Sequence, residues 1–187
     1  MASTSLNNEL DHASPADDAR TSVFWTLFTW VHVLSILFVS ASVAIVFGGL
    51  SRICGDRYGR LAHTCISLGY RLIVRLHPRY RLTITGTEHL PKGAAVLCPN
   101  HQSLSDVVYL FSLPIAYRWV IKKELFNVPL FGAAMRVAGY PQIDRGNPDS
   151  AMQLVRKVQE LLAVGIPVLS FPEGTRRPDG HLGRFHT

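Results

Sequence analysis

From Val23 to Leu50 the chain runs for twenty-eight residues without an Asp, Glu, Lys or Arg, and His32 is the only ionisable group. A helix needs roughly twenty apolar residues to cross the hydrocarbon core of a bilayer. The run therefore predicts a transmembrane anchor, placed at residues 21–50, with Trp25 and Trp30 suited to an interfacial belt. Residues 1–20, rich in Ser, Asn, Asp and Ala, read as a disordered tail. Their acidic residues (Glu9, Asp11, Asp17 and Asp18 against Arg20) exclude a cleaved signal peptide, which needs a basic start and a shorter apolar stretch. Next, Leu61, Cys65, Leu68, Leu72 and Leu76 recur at helical spacing, with Arg71 and Arg75 one turn apart. This predicts an amphipathic helix within residues 51–78, lying on the membrane surface or packed in the core with its arginines outward.

From Tyr80 the period changes to two. Tyr80, Leu82 and Ile84 alternate with Arg81, Thr83 and Thr85, which predicts a strand ending at Gly86. After the turn "EHLPKG", Ala94–Cys98 reads as a fully buried strand. A helix is expected from near Leu104 to before Pro114, then a strand over "YRWVIK", a short helix over "PLFGAAMRVAG" and a strand over "YPQID". Asp149–Val164 forms a helix whose apolar face is Met152, Val155, Val158, Leu161 and Leu162, stopped by Gly165. "IPVLSF" is the last strand. Strands alternating with helices give an α/β fold, a largely parallel sheet flanked by helices, preceded by the transmembrane helix and the amphipathic interfacial helix.

Charge adds an orientation. Arg52, Arg57, Arg60, Arg71, Arg75, Arg79 and Arg81 stand between Ser51 and Arg81 against Asp56 alone, so much of the formal net charge of +6 is concentrated here. The positive-inside rule then keeps the C-terminal bulk cytoplasmic, making the protein a single-pass membrane protein with its main domain on that side. Such a cluster fits anionic membrane lipids. No nucleic-acid motif accompanies it, so nucleic acid is not an expected partner. Cys54, Cys65 and Cys98 have neither CxxC nor zinc spacing, so neither a disulfide framework nor a structural metal is expected.

In an open α/β sheet the ligand site lies beyond the carboxyl ends of the strands. Three polar clusters fall there: Asn100 to Asp106, Asp144-Arg145, and Glu173 to Arg177. In a straight helix His101 and Asp106 would point to different sides. They can meet if His101 sits on the turn after Pro99 and Asp106 in the first helical turn, capped by Ser103 or Ser105. Asp106 would then fix the imidazole tautomer and leave one ring nitrogen as a general base. No G-x-S-x-G elbow surrounds Ser103, and Cys98 lies in a strand, so the base points to an external hydroxyl. Arg145, Arg176 and Arg177, with Lys122 and Lys123, supply cations for a phosphate.

"NHQSLSD" resembles the N-H-x-x-x-x-D block of the glycerolipid acyltransferases, and "FPEGTR", about seventy residues on, resembles their second block. "KKELFNVPLFGAAMRVAGYPQIDR" between them is similar to the connecting region of that family. The resemblance covers Tyr80 to Phe185 and is closest to the 1-acyl-sn-glycerol-3-phosphate type. It implies transfer of an acyl group from acyl-CoA or acyl-carrier protein to the sn-2 hydroxyl of lysophosphatidic acid, giving phosphatidic acid. Direct attack of that hydroxyl would need no cofactor, no metal and no covalent enzyme intermediate.

By the same resemblance His101 is the base, Asp106 its orienting partner and Arg145 the ligand of the acceptor phosphate. Asn100, Glu173, Gly174, Thr175 and Arg176 would form the rest of the acceptor site. Two other readings stand beside it: a catalytically silent membrane protein that binds phospholipid, and an acyltransferase for another acceptor. The family continues past "LGRFHT" into further strands, and His186 stands where lysine is common. The catalytic domain, residues 79–187, is thus expected to lack its C-terminal part.

Overall fold

The computed structural model describes residues 15–103, 105–174 and 185. Its first element, α1, runs Pro15–Ile53, thirty-nine residues. The helix thus begins ahead of the expected anchor, and residues 15–20, assigned above to a disordered tail, belong to it. The rest of that tail lies outside the described residues. Ser22–Ile53 is long and apolar enough to cross a membrane, an eighteen-residue window within it having a mean hydropathy of 2.4. Because α1 is apolar on every side, it has surface both for packing and for lipid.

One side of α1 is occupied. The second helix, α2 (Arg60–Leu76), runs antiparallel along it. Close approach is possible because a glycine stands at each crossing: a Cβ on Gly48 would strike Ala62, and one on Gly69 would strike Ser40. Further along, the His32 ring nitrogen Nε2 bonds the carbonyl of Ile73 at 3.0 Å, and Thr29 Oγ1 meets His77 Nε2 at 3.0 Å. Arg79 lies over the Trp25 ring at 5.0 Å. At the other end Arg52 donates to the Val137 carbonyl at 2.9 Å. From Trp25 to Arg52, then, the folded chain accompanies α1.

The leucine stripe read from the sequence is not the face that packs α2. Ala62, His63, Ile66, Ser67, Gly69, Tyr70, Ile73 and Val74 are buried, whereas Leu61, Leu68 and Leu76 are exposed. Helix α2 therefore has two faces with distinct roles, and the small residues go to the helix contact.

The strands are short: β1 (Val96–Leu97), β2 (Arg118–Trp119), β3 (Ile121–Lys122), β4 (Gln142–Ile143) and β5 (Val168–Leu169). All pairings are parallel, in the orders β1-β5-β2 and β3-β4. The expected strand over "YRWVIK" is split at Val120. The N–H groups of Arg118 and Val120 bond to the segment of β5, while that of Ile121 bonds to Pro141 before β4. Such alternation is that of a central strand with a neighbour on each side, so the sheet reads β1-β5-(β2/β3)-β4.

Two strand expectations change. Residues 80–85 keep the alternation of half-buried and exposed side chains but form no ladder among the described residues. Ala94–Cys98 is not fully buried, since Val96 is 54% exposed. β1 is an edge strand, paired with β5 alone among the described residues.

The described residues hold three further α-helices: α3 (Ser105–Leu110), α4 (Phe131–Val137) and α5 (Pro148–Ala163). Gly139, at φ 73°, turns the chain after α4. Asn147 caps α5 by accepting from the N–H groups of Asp149 and Ser150, with Pro148 in the first turn. The apolar row expected on α5 is covered only at its C-terminal end. Leu161 is buried, whereas Met152 and Val155 are exposed. The main core lies between α1, α2, α3, α4 and one face of the sheet, centred on the Tyr70–Phe111 stack at 4.3 Å.

That core contains a histidine. His63 Nδ1 meets the Tyr140 hydroxyl at 2.7 Å and its Nε2 meets Ser67 Oγ at 3.2 Å. Burial, with the charges of Arg118 and Arg71 adding to it, lowers its pKa to about 3 from 6.5. The unfolded chain then binds the extra proton, so stability is full above about pH 6.5 and falls as the pH drops towards 3. In thermal unfolding monitored by circular dichroism, His63→Gln should be less stable at neutral pH. Its midpoint should also fall less between about pH 7 and 5 than that of the parent. Parallel curves for the two would show that His63 does not govern this dependence.

Candidate active site

The turn after β1 is built by a helix cap. Ser103 Oγ accepts from the N–H of Ser105 at 3.2 Å, and the Asp106 carboxylate reaches back to the N–H of Ser103 at 2.8 Å. This is a capping box with Asp in the usual Glu position, and it makes Ser103 the N-cap of α3. The shorter side chain holds the carboxylate close to the turn. There Oδ2 also accepts from the N–H of Gln102 at 2.8 Å and meets His101 Nδ1 at 2.8 Å.

Burial alone would raise the Asp106 pKa. The N–H of Ser103, the His101 ring and the N–H of Gln102 outweigh it and hold the carboxyl below its ordinary value. Asp106 is therefore ionised at neutral pH. An ionised carboxylate only accepts, so Nδ1 of His101 carries the proton and Nε2 presents its lone pair. The His101 and Asp106 side chains are 17% and 22% exposed, enough for a ligand to reach them while much of the pair is shielded from water.

The other face of the imidazole is covered from β5. Phe171 stacks on His101 with ring centroids 4.1 Å apart and planes 21° apart, and the edge of Trp119 meets Phe171 at 5.9 Å. The sequence reading missed this aromatic support. Its signal was the aromatic immediately before Pro172, at the end of a strand neighbouring that of His101. The turn continues through Glu173, which is 3% exposed, to Gly174, whose N–H bonds the Phe171 carbonyl at 3.1 Å. Gly174 has φ 64°, where a side chain would be strained. Glu173 is thus buried within this turn.

The remaining expected residues are placed less tightly. Asn100 is exposed on the same turn as His101. Arg145 is exposed in the turn after β4, with no hydrogen bond or ion pair among the described residues. Its neighbour Asp144 is engaged by Lys123 at 2.9 Å, and Lys122 pairs with Glu124 at 3.2 Å. Three strand spacings, about 14 Å, separate β4 from β1. Arg145 accordingly shares the carboxyl edge of the sheet with His101 but does not touch it. Thr175, Arg176 and Arg177 lie outside the described residues.

The imidazole with a carboxylate behind it can deprotonate a hydroxyl, and Arg145 along the same edge, without a partner among the described residues, suits an anionic group on the same molecule. Comparison with known proteins agrees on the lineage. A family model described as Acyltransferase matches residues 81–187. The chloroplastic 1-acyl-sn-glycerol-3-phosphate acyltransferase LPAT1 of Arabidopsis thaliana is 37% identical over 132 residues, covering 70% of this chain and 37% of that protein. The 1-acyl-sn-glycerol-3-phosphate acyltransferase of Pseudomonas aeruginosa is 36% identical over 114 residues, 60% of this chain and 44% of its own length. The chain thus spans less than half the length of these two relatives. The crystal structure of the 1-acyl-sn-glycerophosphate acyltransferase PlsC of Thermotoga maritima shares the fold with a TM-score of 0.58 at 21% identity. That match covers 86% of this chain and 67% of the other. With the family match spanning more than half of the residues and the His101–Asp106 pair in place, the chain belongs to the acyltransferase family.

Proposed function

We infer that the protein transfers a fatty acyl group from an acyl thioester to the sn-2 hydroxyl of 1-acylglycerol 3-phosphate. The observation that carries this reading is the His101–Asp106 pair held on Phe171 at the carboxyl edge of the sheet. Nε2 of His101 takes the hydroxyl proton as the oxygen attacks the thioester carbon. The C–S bond breaks as the tetrahedral intermediate collapses, and the proton passes to the departing thiolate. Asp106 stabilises the imidazolium that forms between these steps. Arg145 would bind the acceptor phosphate. Its fork of N–H donors suits that group, and Asp144 is already engaged by Lys123.

The membrane supplies the acceptor in this reading. Phe24, Leu27, Trp30, Val31, Leu34 and Phe38 on α1 are exposed. This side of α1 enters the lipid, with the catalytic domain on the cytoplasmic, arginine-rich side. The test is acyl transfer by the full chain in reconstituted membranes, with acyl-CoA and acyl-carrier protein as alternative donors. Lysophosphatidic acid should be acylated faster than glycerol 3-phosphate or a lyso-aminolipid. No transfer with either donor would overturn the reading.

A further inference from the structure

A second concentration of positive charge lies away from the His101 edge. A cleft of about 420 Å³ opens beside Pro141 and Gln142 at the outer strand β4, between the end of α1, the α1–α2 loop, α4 and α5. Among the described residues it is lined by Arg52, Arg57, Arg136 and Lys157, and by no aspartate or glutamate. Tyr58, beside these cations, bonds Arg118 at the amino end of β2, so this end of the cleft is remote from the carboxyl edge that holds His101.

Among the described residues, none of the three arginines of this cleft has an ion pair with an acid. Arg52 donates to the Val137 carbonyl at 2.9 Å, and Arg136 to the Phe126 carbonyl at 2.7 Å. A carbonyl orients a guanidinium but leaves it positive, with further N–H groups available. Arg57 rests 5.9 Å from the Tyr58 ring. Lys157 has an ion pair with Glu160 at 3.1 Å, half-exposed and hence readily exchanged. The acid of the α1–α2 loop, Asp56, is otherwise committed. It accepts from the N–H groups of Arg60 and Leu61 and from Ser51 Oγ. Beneath the cleft Arg118, 1% exposed, bonds three carbonyls, those of Ala138, Tyr117 and Tyr58.

Guanidinium forks and an ammonium lining one cleft match the oxygens of a phosphate. The position of the cleft supplies the source. Phe47, Leu50 and Ile53 leave their side chains exposed at the end of α1, Ile53 by 85%, next to Arg52. When these apolar side chains enter lipid, the cleft stands at headgroup depth, where anionic phosphates are concentrated. We propose that this cleft, which meets the Arg145 turn only at its Ser150 end, is a second phosphate site and takes the headgroup of an anionic phospholipid.

The test uses the full chain with Arg57→Gln and Lys157→Gln together, since neither side chain bonds the backbone of the fold. Arg60→Gln with Arg75→Gln removes the same charge outside the cleft. Co-sedimentation is measured with phosphatidylcholine vesicles with and without phosphatidylglycerol. The cleft pair should lose at least ~10-fold in apparent affinity for the anionic vesicles, the scale of one charge-assisted hydrogen bond. The control pair should lose distinctly less. Equal losses in the two pairs, or none in either, would overturn the site and leave only general charge attraction. In a second arm, inorganic phosphate is titrated into detergent-solubilised protein during thermal unfolding. No shift beside cleft-dependent vesicle binding supports the lipid headgroup, whereas a shift lost only in the cleft pair would overturn the lipid as the source. Neither readout depends on acyl transfer, so this site and the proposed activity stand or fall separately.

Discussion

His101→Ala is expected to lower the rate of acyl transfer to lysophosphatidic acid by at least ~10²-fold, the low end of what a positioned general base contributes. The geometry makes the prediction specific. Asp106 Oδ2 gathers three donors, the His101 ring and the N–H groups of Gln102 and Ser103, so the carboxylate is fixed before any substrate arrives. Asp106→Asn keeps an oxygen for those donors but removes the charge that stabilises the imidazolium. A comparable loss is expected there, with little change in the unfolding midpoint. Initial rates with a radiolabelled acyl donor, together with thermal unfolding of each variant, would decide. Near-parental activity in His101→Ala would remove this residue from the chemistry.

Arg145→Ala is expected to raise the apparent KM for the phosphorylated acceptor by about ten- to a hundredfold, with a smaller effect on the acyl donor. Loss of one charge-assisted hydrogen bond is worth roughly 1.5–3 kcal/mol. The residue is well suited to such a test, because it makes no hydrogen bond or ion pair among the described residues and the fold does not rest on it. Steady-state kinetics varying each substrate in turn would separate the two constants. Equal increases in both would make Arg145 a structural residue of the turn.

The site was legible to the extent that it is local. His101 and Asp106 are five residues apart, and a serine, a cap and a short helix suffice to fold the second back on the first. That is chain chemistry over one turn, and the residue types announce it. Phe171 was not legible, because its stacking on His101 depends on β5 lying beside β1, a pairing between segments some seventy residues apart. The strand at Tyr80–Thr85 failed for the same reason in reverse. Alternation records which side of a segment faces the core, whereas a ladder needs a partner that the segment itself does not specify.

The sequence by itself determined the apolar length of α1, the alternation of strands and helices, and the local pairing of a base with its carboxylate. These follow from hydrophobic period, glycine and proline positions, and the reach of a short side chain. The tertiary structure alone decided which face of α2 is buried. Leu61, Leu68 and Leu76 are the more hydrophobic choice, yet the helix turns Ala62, Gly69 and their neighbours inward, because close contact with α1 at Gly48 and Ser40 requires small residues. It also decided that Arg52, Arg57, Arg136 and Lys157, drawn from four separate segments, face one cleft. Charges distant in the chain acquire a common electrostatic role only when packing brings their elements together.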